Sequence, residues 1–465
     1  MNRDAKVLVS LFFLVVWIAA INAADAGVEN GTRDIRPNII FITTDQQEAN
    51  SMSCAGNGDV KTPNMDRIAR AGVRFTKTYS TFPLCTPSRA SIYTGKMPHE
   101  LGVYSNNKTQ IQKSDFEFGL GSLLLKSGYD CAYGGKWHVP ELDIPEDIGF
   151  RKIADMDESR LTQACIEYLR EKHERPFFLV ASYESPHGIC EWARGQTLPY
   201  GEIKKTDLEN CPSLPRNFPI APFEPGIIRI EQQSNPHAYP TRNFTPEDWR
   251  QYLHAYYRLV EQVDNEIGQI LDEVDRLKLE DNTIIIFSSD HGDGIAAHNW
   301  NQKTVLYEES AKVPLIISYP GVSQKDIVND TQLVSLGLDI LPTVCDYANV
   351  PVPKGLKGLS LRPLIEGRKV DQWRDYVIVE TMFDGKSAHQ TKGRSLISDK
   401  FKYIIYDLGK NREQLFDLEK DPGEMVNLVQ DGKYKSVLNK MRGDLLAWSK
   451  ETGDTLEMRR FVVPK

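Results

Sequence analysis

The sequence predicts an α/β protein, a sheet covered by helices on both faces, on three observations. Short β-branched apolar runs recur far apart along the chain, a long amphipathic helical pattern lies between them, and two of the runs end in an aspartate. Continuous apolar runs of this length read as strands buried on both faces, and helical patterns between such strands supply the covering layers. The 465 residues, 40% hydrophobic and 26% charged, suffice for one large α/β domain and a smaller companion.

Taken in order, the chain opens on a targeting pattern. Arg3 and Lys6 precede the apolar run Val7 to Ile21, and Ala24-Asp25-Ala26 has small residues spaced for cleavage, so residues 1–26 read as a signal peptide. The run is short for a membrane span, which takes about 20 residues. An uncleaved anchor is the alternative. No other stretch is long and apolar enough to cross a bilayer, and the expected product is an exported protein, secreted or periplasmic.

Pro37 to Thr44 then reads as a buried strand delivering Asp45 at its carboxyl end. Phe177 to Ser182, Thr283 to Ser289 and Val313 to Ser318 repeat the pattern, the third of these four runs ending in Asp290-His291-Gly292. Thr245-Pro246-Glu247-Asp248 is a helix start, with a capping threonine, proline in the first turn and acids after it. The stripe Trp249, Leu253, Tyr256, Val260, Val263, Ile267, Ile270, Val274 and Leu277 continues that helix. Between residues 188 and 244, prolines from Pro199 to Pro240 are dense enough to predict a long ordered loop without regular structure.

Beyond Val350-Pro351-Val352-Pro353-Lys354-Gly355 the texture changes. Short strands are expected at Tyr376–Glu380, Ser395–Ser398, Lys402–Tyr406 and Gln414–Asp417, then a helix with Val437, Met441, Leu445 and Trp448 as its stripe. The division is a domain over 35–370 and a C-terminal α+β subdomain over 371–465.

A formal net charge of −8 argues against a nucleic-acid partner but leaves room for a local cationic pocket. Of seven cysteines, one is left over if the rest pair. Cys54, Cys131, Cys165, Cys190, Cys211 and Cys345 are read as disulfide partners or buried thiols.

Asp45 and Asp290 reach the same sheet edge, where ligands of α/β sheets bind. Two such carboxylates repel unless a cation or proton lies between them, and a hard divalent ion is the simple remedy. Each alone could instead cap a neighbouring helix or loop. Cys85, between Pro83 and Pro87 and before a helix-compatible run carrying Arg89, reads as an acidified thiol. A buried, inert cysteine is the other reading.

The run Cys85-Thr86-Pro87-Ser88-Arg89, followed four residues later by Thr94-Gly95, resembles the signature of the type I sulfatase family at every defined position. Gly135-Lys136-Trp137-His138, Ser185-Pro186-His187, Asp290-His291-Gly292, Lys303, Val313-Pro314-Leu315, Leu415-Phe416-Asp417-Leu418 and Asp421-Pro422-Gly423-Glu424 follow in family order. The resemblance implies an alkaline-phosphatase-like large mixed sheet flanked by helices. It implies that Cys85 is oxidised by a formylglycine-generating maturation enzyme to formylglycine, whose hydrate is the nucleophile. It further implies Ca²⁺, with Mg²⁺ as the alternative, on Asp45, Gln46, residue 85, Asp290 and His291. Many sulfatases have a second aspartate where this chain has Gln46, and asparagine where it has His291, so the two carboxylates just neutralise a divalent ion.

Roles implied by the resemblance complete the expectation. Lys136 and Lys303 neutralise the sulfuryl oxygens, Arg89 holds the hydrate, His187 or Lys303 protonates the leaving alcohol, and His138 removes the proton that lets sulfate depart. His298 either lines the substrate pocket or only packs. The expected substrate is a sulfate ester, on a saccharide if Trp192, Arg194, Arg216 and Arg229 of the proline-rich segment face the site. The rivals are a phosphonate monoester or phosphodiester hydrolase and a catalytically silent saccharide-binding homologue.

Overall fold

Strand β1 (Asn38–Asp45) is apolar along its length because both its faces are covered. Ile39 and Phe41 point into one core and Ile40 and Ile42 into another, the two-residue alternation of a strand. The structure is a computed structural model and describes residues 36–107, 110–139, 148–454 and 456. The signal-peptide reading for residues 1–26 falls outside the described residues.

The remaining strands of the large sheet are β2 (Gly72–Phe75), β4 (Asp130–Gly135), β5 (Arg151–Ala154), β6 (Phe177–Pro186), β7 (Thr283–Ser289), β8 (Leu315–Ser318) and β9 (Ile327–Asn329). The short β3 (Thr78–Tyr79) pairs with β10 (Val334–Ser335). The eight-stranded order is β5-β4-β6-β1-β7-β8-β2-β9, mixed because β8 runs antiparallel to β7 and β2. Around β1 the sheet is parallel on both sides, with β6 and β7 as neighbours, so the carboxyl ends of these three strands emerge together.

Eleven helices follow in chain order: α1 (Pro63–Ala71), α2 (Cys85–Thr94), α3 (Leu120–Lys126), α4 (Glu158–Arg170), α5 (Ile189–Ala193), α6 (Gly226–Ser234), α7 (Pro246–Arg276), α8 (Glu308–Ala311), α9 (Leu336–Tyr347), α10 (Arg362–Ile365) and α11 (Lys435–Thr452), counted among the described residues. Helices α2, α3 and α9 cover one face of the sheet, and α1, α4 and α7 the other. Helix α7 starts where its sequence indicates: Thr245 Oγ1 accepts from Asp248 N–H at 3.2 Å, and the Asp248 carboxylate accepts from Thr245 N–H at 3.1 Å.

The proline-rich segment is the main correction. It carries α5, α6 and 3₁₀ turns at Leu208–Asn210 and Pro240–Asn243 rather than an unbroken loop. Its prolines fall at boundaries. Pro225 caps α6, whose nine residues contain none and bury Ile227, Ile228, Glu231 and Gln232 on one face.

Towards the C-terminus, β11 (Tyr376–Met382), β12 (Lys392–Ser398), β13 (Phe401–Tyr406) and β14 (Glu413–Asp417) form an antiparallel sheet in sequence order. One face, with Leu396, Tyr403, Ile405 and Leu415, packs on Leu438, Met441 and Leu445 of α11. The buried stripe of α11 therefore runs through Leu438, with Val437 and Trp448 at its margin. The opposite face, with Val379, Ile404 and Phe416, packs against Tyr79, Trp300, Leu306 and Tyr307 of the larger sheet's loops. The described residues from Arg36 onward form one compact unit. All seven cysteines are free thiols, so none takes the disulfide reading.

Candidate active site

Helix α2 begins at Cys85, and all ten of its residues are buried. Its amino end points at the carboxyl edge of the sheet between Asp45, the last residue of β1, and Asp290, just after β7. Cys85 Sγ lies 3.5 Å from Asp45 Oδ1, 3.2 Å from His291 Nε2 and 3.0 Å from Lys303 Nζ. Burial and Asp45 push this thiol up, but Lys303, His291 and Lys136 outweigh them and hold it well below the ordinary range. Those three neighbours favour the thiolate form of the unmodified side chain.

Arg89, one turn into α2, holds the two strand ends together. Its guanidinium donates through Nε to Asp290 Oδ2 at 2.9 Å, through Nη2 to Asp45 Oδ2 at 3.0 Å, and through Nη1 to Ser182 Oγ at 2.7 Å and the Lys136 carbonyl at 2.8 Å. A planar fork can serve four acceptors where an ammonium cannot. Ser88 Oγ donates to the Asp290 carbonyl at 2.6 Å and completes the clamp.

Lys136 leaves β4 through Gly135, whose φ is +91° and where a Cβ would lie 2.0 Å from the Ser182 carbonyl oxygen. Only glycine fits, and that turn aims Lys136 Nζ at Asp45 Oδ2, 3.1 Å away, and Glu184 Oε1, 3.3 Å away. Lys303 Nζ also donates to Gln46 Oε1 at 2.9 Å. Burial alone would raise the Asp45 carboxyl, yet Lys136, Lys303, His187 and Arg89 together hold it well below the usual range. Asp290 is pushed up to about 6, by burial first and then by Asp45.

The donor set fits a divalent cation. One ligand atom each from Asp45, Cys85, Asp290 and His291 lies within 4.8 Å of the others, all buried. His291 Nδ1 lies 2.9 Å from the Gly292 carbonyl, which can only accept, so Nδ1 carries a proton and Nε2 is the ring atom that faces the carboxylates. Gln46 sits at φ +72° with its backbone N–H on Asp290 Oδ1 at 3.2 Å. Its amide bridges outward, Nε2 donating to Asp293 Oδ2 at 2.6 Å, while Oε1 accepts from Lys303 Nζ at 2.9 Å and from the Cys190 thiol at 3.6 Å.

His187 is partly exposed, with Nδ1 3.9 Å from Glu191. Burial, then Lys136 and Lys303, lower it well below the ordinary imidazole value. His138 has φ +53°; its carbonyl accepts from Thr86 Oγ1 at 2.7 Å, and its buried Nδ1 has no partner among the described residues. Around the His187 loop is a cavity of about 290 Å³ lined by Glu184, Ser185, Gly188, Glu191 and Tyr200.

His298 is placed elsewhere. It is fully buried, stacks on Tyr307 at 3.9 Å, and groups with Glu309 and Glu424 rather than with Cys85. Burial, then Arg229 and Lys402, lower it to about 3. The proline-rich segment's cations are likewise occupied: Arg229 is bound to Glu224 and the His298 carbonyl, and Arg194 to Glu191 and the His237 carbonyl. Arg216 is exposed, and Trp192 lines a cavity of about 650 Å³ that shares Thr197 and Leu198 with the one beside the His187 loop. Ser182, Glu184 and Asp293 are site residues that sequence reasoning passed over. Asp293, in the run Asp290-His291-Gly292-Asp293, was the one with a visible signal.

Two lysines, an arginine and two carboxylates around one acidified group form the site of a hydrolase for anionic esters. Residues 37–350 match the family described as Sulfatase, and residues 296–451 match N-sulphoglucosamine sulphohydrolase, C-terminal. A Delta 4,5-hexuronate-2-O-sulfatase of Bacteroides thetaiotaomicron is 29% identical, over 91% of this chain and 91% of that one. An arylsulfatase of Clostridium perfringens is 30% identical, over 89% of this chain and 94% of its own. The solved structure of a 2-O GAG sulfatase, 28% identical, superposes with a TM-score of 0.80 over 92% of this chain and 94% of that one. The chain belongs to the sulfatase family, on the alkaline-phosphatase-like fold, and is a sulfuric ester hydrolase.

Proposed function

We propose that this sulfatase releases sulfate from a sulfated saccharide, using a formylglycine made from Cys85 by a maturation enzyme and a Ca²⁺ ion held by Asp45, Gln46, Asp290 and His291. The observation that carries the reading is the placement of Cys85 Sγ within 3.5 Å of Asp45, His291 and Lys303 at the start of a buried helix. Formylglycine supplies a hydrated aldehyde as nucleophile, and the cation supplies charge neutralisation for it and for a sulfuryl oxygen.

The chain's own groups account for the rest. Lys136 and Lys303 flank residue 85 and bind the remaining sulfuryl oxygens. Arg89 fixes both carboxylates, so the anionic pair does not spread when substrate arrives. His187 is neutral in the free enzyme because of burial and the two lysines. An anionic sulfate between those lysines offsets their field, so His187 gains a proton as substrate binds and can donate it to the leaving oxygen. His138, tied to Thr86 through its carbonyl, is the base on the side of residue 85.

The saccharide assignment is supported by the relatives named above and by the cavity beside Glu184 and Glu191, which has room for part of a sugar ring. The N-terminal pattern supports export, with no helix among the described residues long and apolar enough to cross a membrane. Sulfate release from sulfated mono- and disaccharides, aryl sulfates and phosphonate esters tests the reading. Turnover of saccharides is expected; turnover of aryl sulfates alone would sink the saccharide assignment, and faster phosphonate cleavage the preference for sulfate.

A further inference from the structure

A second buried cluster lies where the C-terminal sheet meets the catalytic part. We infer that His298, Glu309 and Glu424 form a binding site for a zinc-class divalent cation, separate from the cation at Asp45 and Asp290. One ligand atom from each lies within 4.8 Å of the others.

The first support is an unserved imidazole. His298 is 0% exposed, and neither of its ring nitrogens has a hydrogen-bond partner among the described residues. A buried ring with both nitrogens unpaired is costly unless a ligand satisfies one. Glu309 Oε2 is likewise buried without a partner.

The second support is the shell around the three. Asn217, itself buried, accepts from the His298 backbone N–H at 2.6 Å. Its Nδ2 donates to Glu309 Oε1 at 2.8 Å and to the Gly423 carbonyl, next to Glu424, at 3.2 Å. Glu424 Oε2 accepts from the Glu308 backbone N–H at 2.6 Å. Glu309 is thus oriented through Oε1 with Oε2 left without a partner among the described residues, as outer-shell groups orient metal ligands, and Glu424 is fixed through Oε2 by the Glu308 N–H and through Oε1 by Lys402.

Charge points the same way. Glu48, Glu308, Glu309 and Glu424 gather here, four carboxyl groups against the two cations Lys312 and Lys402. Nearby Lys77 is paired with Asp399, and Glu419 with Lys400. Lys402 Nζ, 2.9 Å from Glu424 Oε1 and 3.0 Å from Glu308 Oε1, neutralises one side and leaves Glu309 Oε2 and the imidazole unserved. One nitrogen and two carboxylates, with water as a fourth ligand, suit Zn²⁺ better than an all-oxygen ion. Bonds of about 2.0–2.2 Å would draw the donors to roughly 3.4 Å apart. A cavity of about 270 Å³ lined by Glu48, Tyr79, Glu308 and Glu309 adjoins one of the three residues, Glu309.

The test uses the full chain, stripped with a chelator, incubated with Zn²⁺ and freed of excess by gel filtration. One zinc per chain should remain in the wild type and in Asp290→Asn, with Tm raised by roughly 3 °C. Glu309→Gln should lose both the zinc and the shift. No retained zinc in the wild type, or zinc lost from Asp290→Asn but kept by Glu309→Gln, would overturn the site. Should Glu309→Gln not fold, zinc-edge anomalous diffraction from wild-type crystals decides. A peak between His298, Glu309 and Glu424 supports the proposal, and its absence contradicts it.

Discussion

At the scale of residues, the site is a balance of charges that no single side chain explains. Cys85 is acidified despite full burial because two lysines and His291 outweigh Asp45, and the same lysines hold Asp45 ionised against the cost of burial. Lys136 belongs to both balances. Replacing it with alanine removes a charge aimed at the sulfuryl group and leaves Asp45 less compensated. Lys136→Ala should lower kcat/KM on the order of 10²- to 10³-fold. Steady-state sulfate release measures this, and a loss below tenfold would remove Lys136 from the machinery.

The motif residues were legible in the sequence because their neighbours in the chain are also their neighbours in space: Cys85 and Arg89 share one helix, and Asp290 and His291 one strand end. Ser182 and Glu184 were not legible, since their roles depend on β4 and β6 lying side by side. The His298 cluster was less visible still. Its members are joined by Asn217, 81 residues before His298, and include Glu424 from the turn after β14.

Among elements, β1, β7 and α7 declared themselves through unbroken apolar runs or a capped amphipathic stripe. Strand β4, Asp-Cys-Ala-Tyr-Gly-Gly, contains no β-branched residue and is recognisable only through its pairing with β6. The proline-rich segment misled for the opposite reason, since proline content is a property of the stretch whereas helix formation depends on where each proline falls.

The link between α4 and the His187 loop yields a pH prediction. Glu158, at the start of α4, accepts hydrogen bonds from both the backbone N–H and the hydroxyl of Ser185. Burial outweighs these bonds and raises its carboxyl to about 7. A raised carboxyl means that the folded state holds a proton the unfolded chain has lost, so stability falls as pH rises from about 4.5 to about 7. Glu158→Gln should abolish that part of the slope, on the order of 2 kcal/mol across the window. Urea unfolding at several pH values measures it, and an unchanged slope would refute the assignment.

Over the whole molecule, the C-terminal sheet is held between α11 and the catalytic loops by a buried network as well as by apolar packing. Arg394 donates to Asp454 Oδ2 at 2.9 Å and Oδ1 at 2.8 Å and lies 3.7 Å from Glu380, all with almost no exposure. Arg394→Met would strand the Asp454 carboxylate and leave Glu380 to His99 alone, and should cost about 3–5 kcal/mol. Chemical denaturation reads this directly, and a cost under about 1 kcal/mol would show that packing alone holds the sheet.

The central claim is that residue 85 works as an aldehyde in a sulfate-releasing site. Peptide mass spectrometry across residues 85–95 of protein from its native host, with sulfate release measured on the same preparation, tests it most directly. The account predicts an aldehyde in place of the thiol and activity proportional to the converted fraction. An unmodified Cys85 thiol in fully active protein would contradict it.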